Sequence, residues 1–265
     1  MRRRPRLLGQ TKEPLAARIG FATLANAARP VANLLLGHTW RGFDRIPPGS
    51  ILVANHVTEL DPVTVGLALY DNGINPRFLA KESLFKLPVV GKLLTQSGQI
   101  PVDRGGAGAG ASLRTARQVL DRGGCIVVYP DGTLTRDPDL WPQKARTGAA
   151  RLALKTGAPV IPVAHWGDQE LLPPYAKRIH PFPRKHVTVR AGDPVDLDDL
   201  RGGKTTRTVL NEATDRIVAA LTAEVARLRP RDTPPETPWD PEEHGQSLTG
   251  HPTAPAAQAG GRTKN

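Results

Sequence analysis

Between residues 40 and 195 the chain alternates short apolar runs, rich in Val and Ile, with longer segments whose apolar residues recur every three or four positions. The runs 51–54, 77–80, 99–102, 125–129, 159–164 and 186–190 predict strands, because they are brief, β-branched and bounded by turn residues. The segments 62–70, 82–95, 111–122 and 148–156 predict helices, the last stopped by Gly157. A longer segment, 205–228, sets Leu210, Ile217, Leu221, Val225 and Leu228 along one side and is predicted to pack back on the sheet. Such alternation predicts an α/β fold: a single layered domain with a mostly parallel, mixed central sheet flanked by helices.

The two ends break this rhythm. Residues 1–14 are basic and polar, with Arg2, Arg3, Arg4 and Arg6 ahead of Lys12. Residues 15–36 are apolar but carry Arg18, Arg29 and Pro30, so they fall short of the roughly 20 apolar residues that span a bilayer. On a helix those two arginines lie within about 20° of each other, which predicts an N-terminal amphipathic helical segment lying in a membrane interface behind a basic arm. A helix packed on its own domain is the alternative. A third reading, a cleaved leader ending near Ala25-Asn26-Ala27, is disfavoured by Thr23 and Asn26 within a weak apolar region. After Pro230 the composition turns to Pro, Gly, Thr, Glu and Gln, which predicts disorder. The expected partition is therefore 1–36, a basic arm and membrane-associating helix; 37–229, the folded domain; and 230–265, a disordered tail.

Charge narrows the partners. Across 265 residues, 36 Lys and Arg outweigh 25 Asp and Glu, a net charge of +11 that favours an anionic surface or ligand. Nucleic acid is not expected, since aromatic residues are only 5% of the chain and no recognition motif interleaves them with the basic ones. The single cysteine, Cys125, lies within a predicted strand, can form no internal disulfide, and is compatible with a reducing compartment.

Four stretches carry candidate chemistry. The strand 51–54 runs into Asn55-His56, and Asp61-Pro62 opens the next helix, so an imidazole and a carboxylate share one strand-to-helix connection. A carboxylate beside an imidazole fixes its tautomer and stabilises its protonated form, which suits it to take a proton from a hydroxyl. The second stretch, Gly98 to Arg104, ends a strand on Asp103-Arg104 beside two glycines, a setting suited to a phosphate. The glycine-rich run that follows has Ala111 where a nucleotide-binding loop requires Lys, so it reads as a link whose Ser112 caps the next helix. The third places Asp131 and Gly132 after the strand 125–129. The fourth, Pro159-Val160-Ile161-Pro162-Val163, predicts an edge or bulged strand because of its two prolines.

In order and spacing these four stretches resemble the four blocks of the glycerolipid acyltransferases, most closely the 1-acylglycerol-3-phosphate acyltransferases of the PlsC type. Asn55, His56 and Asp61 match the first block (His, four residues, Asp). Gly98, Ile100, Asp103 and Arg104 match the second, Pro130-Asp131-Gly132-Thr133 the third, and Pro159 to Val163 the fourth. The resemblance covers about residues 40–195. It implies transfer of an acyl group from acyl-CoA or acyl carrier protein to the sn-2 hydroxyl of 1-acylglycerol 3-phosphate, giving phosphatidic acid. His56 would be the base and Asp61 its orienting acid; Arg104, Asp131, Gly132 and Thr133 would bind substrate. No cofactor and no metal are implied, and His38, His165, His180, His186, His244 and His251 show no ligand spacing. Two departures stand out. Asp131 is one methylene shorter than the family's Glu, and Leu134 replaces an Arg assigned to the acceptor phosphate, a role left to Arg136 or Arg146. Another lysophospholipid, glycerol 3-phosphate or a different lipid alcohol as acceptor therefore stays open, as does a membrane-binding protein without catalysis. Leu84, Phe85 and Leu87, interleaved with lysines, read either as the face of a core helix kinked at Pro88 or as acyl-chain and membrane contacts. The implied location is the cytoplasmic face of the cell membrane, peripheral or monotopic.

Overall fold

The structure, a computed structural model, describes residues 12–102 and 109–246. Seven strands form one sheet in the order β1-β7-β6-β2-β5-β3-β4: β1 Leu36–Arg41, β2 Ile51–Ala54, β3 Pro76–Lys81, β4 Ile100–Val102, β5 Cys125–Val128, β6 Val160–Trp166 and β7 Lys185–Ala191. All pairings are parallel except β6 with β7. The helices are α1 Leu15–Leu35, α2 Asp61–Asp71, α3 Glu82–Phe85, α4 Pro88–Gln96, α5 Ala109–Asp121, α6 Gly148–Thr156 and α7 Arg207–Leu228. This is the expected single layered α/β domain.

Strand β2 is its axis. It lies between β5 and β6, and all four of its residues are fully buried. Leu52 and Ala54 face a core shared with Phe21 and Ala25 of α1 and Val65 and Leu69 of α2. Ile51 and Val53 face the opposite core, with Leu120 of α5, Leu152 of α6, and Leu210 and Ile217 of α7. Burial on both faces explains why β2 reads as an unbroken apolar run.

Several expectations are corrected. Strand β6 is neither an edge nor bulged; it is third in the sheet, between β7 and β2. Pro159 precedes it and still accepts a hydrogen bond from Ile51 N (2.9 Å). Pro162 accepts from Gly192 N (2.8 Å) just beyond the end of β7, so its missing donor faces the rung where that strand departs. Strand β1 escaped prediction, and its parallel pairing with β7 makes 36–41 part of the sheet. The expected helix 82–95 is two helices. Leu87 is extended (φ −76°, ψ 130°) because the residue before a proline avoids helical backbone, and Pro88 restarts the helix at its first turn. Ser112 is no cap: it lies inside α5 and donates to the Pro101 carbonyl (2.7 Å).

The expected boundaries at 36 and 230 also shift. Helix α1 buries Phe21 and Ala25 in the core while leaving Leu15, Ile19, Val31 and Leu34 exposed, so it packs on its domain and presents a second apolar stripe outward. At Gly20 a side chain would strike the Gln96 carbonyl, which is how closely α1 rests on α4. Just before α1, Glu13 meets Arg77 of β3 (Oε1 to Nε, 2.8 Å), and both side chains are nearly inaccessible. Arg77 also donates to the Ser97 carbonyl (2.6 Å). Beyond α7, residues 230–246 pack where disorder was expected. Arg229, which lies over Trp141 and Trp166 (4.0 and 4.3 Å to the ring centres), pairs with Asp232 (2.8 Å). Lys144 N donates to the Trp239 carbonyl (2.9 Å), Lys144 Nζ pairs with Asp240 (2.5 Å) and the Trp239 ring stacks on His244, while residues 247–265 of the expected tail lie outside those described. Low apolar content does not exclude order when tryptophans and charge pairs supply the contacts.

Because Glu13 and Arg77 are desolvated together, removing one strands the other. Arg77→Met should lower the unfolding free energy by about 3–5 kcal/mol, and Glu13→Leu with Arg77→Met should recover most of it. Urea unfolding reads this directly; a single variant as stable as the parent would contradict the pair's role in holding α1 to the sheet.

Candidate active site

The C-terminal ends of parallel strands, where open α/β sheets bind ligands, gather the candidate residues here. Strands β6, β2 and β5 are neighbours, so their ends bring His165, Asn55-His56 and Tyr129–Asp131 together. Asn55 ties two of these ends: its Oδ1 accepts from His165 N (2.9 Å) and its Nδ2 donates to the His165 carbonyl (3.0 Å).

His56 and Asp61 are in contact, with Nδ1 to Oδ2 at 2.8 Å. Asp61 opens α2 and reaches back over the connecting loop, where it accepts from Val57 N (2.7 Å) and Thr58 N (3.1 Å). The five-residue spacing thus closes a small ring of hydrogen bonds around one carboxylate. Asp61 is wholly buried, yet the positive charge of His165 and hydrogen bonds from His165 and His56 overcome the burial penalty and bring its pKa down to about 2. An ionised carboxylate holding Nδ1–H leaves the His56 Nε2 lone pair free to accept a proton. The His56 side chain is 18% exposed, and Nε2 has no hydrogen-bond partner among the described residues. Its ring stacks on Tyr129 (4.2 Å, 20°), which fixes its plane.

His165 was set aside on sequence because spacing along the chain does not show it; only sheet order brings it to Asp61. It is fully buried, with Nδ1 3.1 Å from Asp168 Oδ1 and Nε2 2.8 Å from the Asn55 carbonyl and 3.5 Å from Asp61 Oδ2. Burial opposes charge on this ring, but the carboxylates of Asp168 and Asp61 outweigh it and hold its pKa well above the ordinary imidazole value. Asp61, His165 and Asp168 are near enough to share one metal ion. Both His165 nitrogens face oxygen acceptors at hydrogen-bond distance, so the contacts present are those of an ion-pair network.

The third stretch divides. Asp131 is 1% exposed and neither carboxylate oxygen has a hydrogen-bond partner among the described residues. Burial lifts its pKa well above the usual carboxylate value, opposed only in part by the nearby backbone N–H groups of Gln143 and Asp131 itself, which stop short of hydrogen-bond geometry. Gly132 turns the chain with φ +72°, and Thr133 beside it is partly exposed. Leu134 is buried, which suits an apolar residue, and its carbonyl accepts from the Tyr175 hydroxyl (3.1 Å). Tyr175 is itself strained into the left-handed region (φ 62°) and faces the Arg136 guanidinium (5.2 Å). Arg136 is only 7% exposed and its backbone N donates to Gln143, so it is built into the wall. Arg146 is exposed, and its Cδ and Nε lie against Gly132.

Arg104 lies outside the described residues. Leu84 and Leu87 are 40% and 47% exposed and Phe85 is partly covered, so the face they form is not a core face. Burial pushes the Cys125 thiol up to about 11, which leaves it protonated and unreactive. An apolar groove of about 250 Å³ runs between α1, β1, β7 and α2, lined by Leu36, Leu60, Val63, Leu67 and Val187; Leu60 directly precedes Asp61. No described helix is long and apolar enough to cross a membrane.

Comparison with known proteins gives these features a class. A protein-family model described as Acyltransferase matches residues 39–166, the span from β1 to the end of β6. The chain is similar to a chloroplastic 1-acyl-sn-glycerol-3-phosphate acyltransferase of Brassica napus, 28% identical over 50% of this chain and 38% of that one. It is likewise 28% identical to the N-acylphosphatidylethanolamine synthase of Arabidopsis thaliana, over 64% of this chain and 67% of that one. The match thus spans between about two fifths and two thirds of these relatives' length. The crystal structure of the 1-acyl-sn-glycerophosphate acyltransferase PlsC from Thermotoga maritima shares the fold, with a TM-score of 0.59 and 24% identity over 80% of this chain and 81% of that one. These likenesses, by sequence to the acyltransferase model and the named relatives and by fold to the PlsC structure, support the PlsC-type glycerolipid acyltransferase family.

The depressed pKa of Asp61 has a consequence for acid stability. Below the ordinary carboxylate value near 4 the unfolded chain binds this proton while the folded chain does not, so stability falls as pH drops toward about 2. Asp61→Asn should remove up to about 1.4 kcal/mol per pH unit from that slope. Unfolding free energies measured between pH 4 and 2 test this; parallel slopes in parent and variant would contradict it.

Proposed function

We propose that the chain transfers a fatty acyl group from a thioester donor, acyl-CoA or acyl carrier protein, to the sn-2 hydroxyl of 1-acylglycerol 3-phosphate, yielding phosphatidic acid. The contact between His56 and an ionised Asp61, with Nε2 turned away from it, carries this reading. His56 Nε2 takes the proton of the acceptor hydroxyl as its oxygen attacks the thioester carbonyl. The new C–O bond forms, the C–S bond breaks, and the proton passes to the departing thiolate. No acyl-enzyme and no resident cofactor or metal enter this scheme. Arg146 is the better replacement for the family arginine missing at position 134, because it is exposed at Gly132 whereas Arg136 is buried. The groove beside Leu60 offers room for a fatty chain.

A second reading keeps the donor and changes the acceptor to another lysophospholipid, glycerol 3-phosphate, or a lipid alcohol or amine. It is favoured by the buried Leu134 and by the similarity to an N-acylphosphatidylethanolamine synthase over two thirds of that protein.

The acceptor resides in a bilayer, and the surface is suited to reach it. Leu34 on α1 is 75% exposed and Phe182 in the loop before β7 is 87% exposed. Arg184 joins these two places by donating to the Asn33 and Leu36 carbonyls (2.6 and 2.8 Å). Lys177, Arg178 and Lys185 flank the loop with the charge that anionic headgroups attract. Peripheral attachment at the cytoplasmic face of the membrane follows from this reading.

Thiol release from acyl-CoA with a panel of acceptors tests the reaction. His56→Ala should reduce kcat by about 10²–10⁴-fold; near-normal turnover would remove His56 as the base. Arg146→Ala should raise KM for phosphorylated acceptors about tenfold with kcat little changed, a charge-assisted hydrogen bond being worth roughly 1.5–3 kcal/mol. An unchanged KM would return the phosphate to another cation. Leu34→Ser with Phe182→Ser should weaken binding to phosphatidylglycerol vesicles at least about tenfold, even one apolar side chain withdrawn from the bilayer being worth roughly 1.5–3 kcal/mol. Undiminished co-sedimentation would place the membrane contact elsewhere.

A further inference from the structure

Nothing in the proposed scheme requires His165, yet it is the most completely enclosed titratable ring in the site. Each of its nitrogens faces only acceptors: Asp168 Oδ1 on Nδ1, and the Asn55 carbonyl and Asp61 Oδ2 on Nε2. A neutral imidazole has one donor and one acceptor nitrogen, so in either tautomer it would set a lone pair against an oxygen lone pair. With both nitrogens protonated, every contact is a donor meeting an acceptor.

We propose that His165 is a positioning residue, a buried imidazolium that fixes the charge and orientation of Asp61 and through it the proton-accepting state of His56. The inference rests on the reading of His56 as the base. Asp61 Oδ2 is shared by His56 Nδ1, Val57 N and, at longer range, His165 Nε2. Asp168, Tyr129 and Asp131 are the other ionisable groups that act on this point, and burial shifts the last two toward their protonated forms. Without the cation, two carboxylates would face each other through an uncharged gap. Asp61 would be left with His56 as its only positive partner, which favours the protonated, inactive form of that ring. Asp168 anchors the cation from the far side, and the paired bonds between Asn55 and His165 hold the ends of β2 and β6 at the required separation.

The test has two arms. In the unaltered chain labelled with ¹⁵N-histidine, long-range ¹H–¹⁵N spectra at pH 8.5 should show one ring with both nitrogens protonated, absent from His165→Gln. A single protonated nitrogen on His165 would overturn the proposal, and this arm decides even if the variant does not fold. In the thiol-release assay, His165→Gln should lower kcat by roughly 10- to 100-fold, the scale of loss from misplacing a catalytic group. KM values should stay within about threefold, and the acidic limb of the kcat/KM profile should move to higher pH. A merely structural role would leave that limb in place, and a folded variant with the parent's kcat and limb would overturn the proposal. A parent chain that releases no thiol with any acceptor sinks the functional reading alone, and the spectra then still decide the state of His165.

Discussion

The carboxylate of Asp61 is the constraint that organises this molecule. It is wholly buried, which by itself would neutralise it, and it stays ionised because donors converge on it from His56, the loop amides of Val57 and Thr58, and His165. Supplying those donors demands a particular scaffold. The end of β2 must deliver Asn55 and His56, the first turn of α2 must deliver the acid, and the neighbouring strand β6 must deliver a cation. A parallel sheet with β2 at its centre meets all three demands at one edge. An ionised acid steadying a ring whose other nitrogen is unoccupied is equipment for proton removal, and it is the point at which fold and family agree.

Much of this was legible in the sequence. The apolar runs of β2 and β5 are short, β-branched and bounded, so their burial could be read directly. The pairing of His56 with Asp61 could be read too, because a strand end and a helix start fix the loop between them. What escaped depends on contacts distant in the chain. His165 meets Asp61 only because β6 lies beside β2, and nothing in the local spacing of residues 160–168 signals it. The interior place of β6 was hidden by its prolines, since local reasoning could not foresee that β7 ends opposite Pro162. Strand β1 is a polar-looking edge, LGHTWR, whose only pairing is with a strand about 150 positions later.

The departures from the family pattern acquire physical meaning in the fold. Position 134 points into the protein, where leucine is at ease and its carbonyl serves Tyr175. Asp131 is buried, which raises its pKa, and Arg136 is fixed in the wall beside it. Among the described residues, the surface cation lying against the turn at Gly132 is instead Arg146, carried after a long loop that returns to the end of β5 through a bond from the Arg146 backbone N to the Pro130 carbonyl (3.0 Å). On the proposed reading, the residue changes in the third block shift the headgroup contact and leave the pair on β2 and α2 in place.

A double-variant cycle on thiol release is the sharpest probe of whether that pair acts as one device. If Asp61 serves only by holding and charging His56, then His56→Ala combined with Asp61→Asn should be no slower than His56→Ala alone. Losses that multiply across the two positions would mean that the acid works independently of the imidazole, and the account given for this site would be wrong.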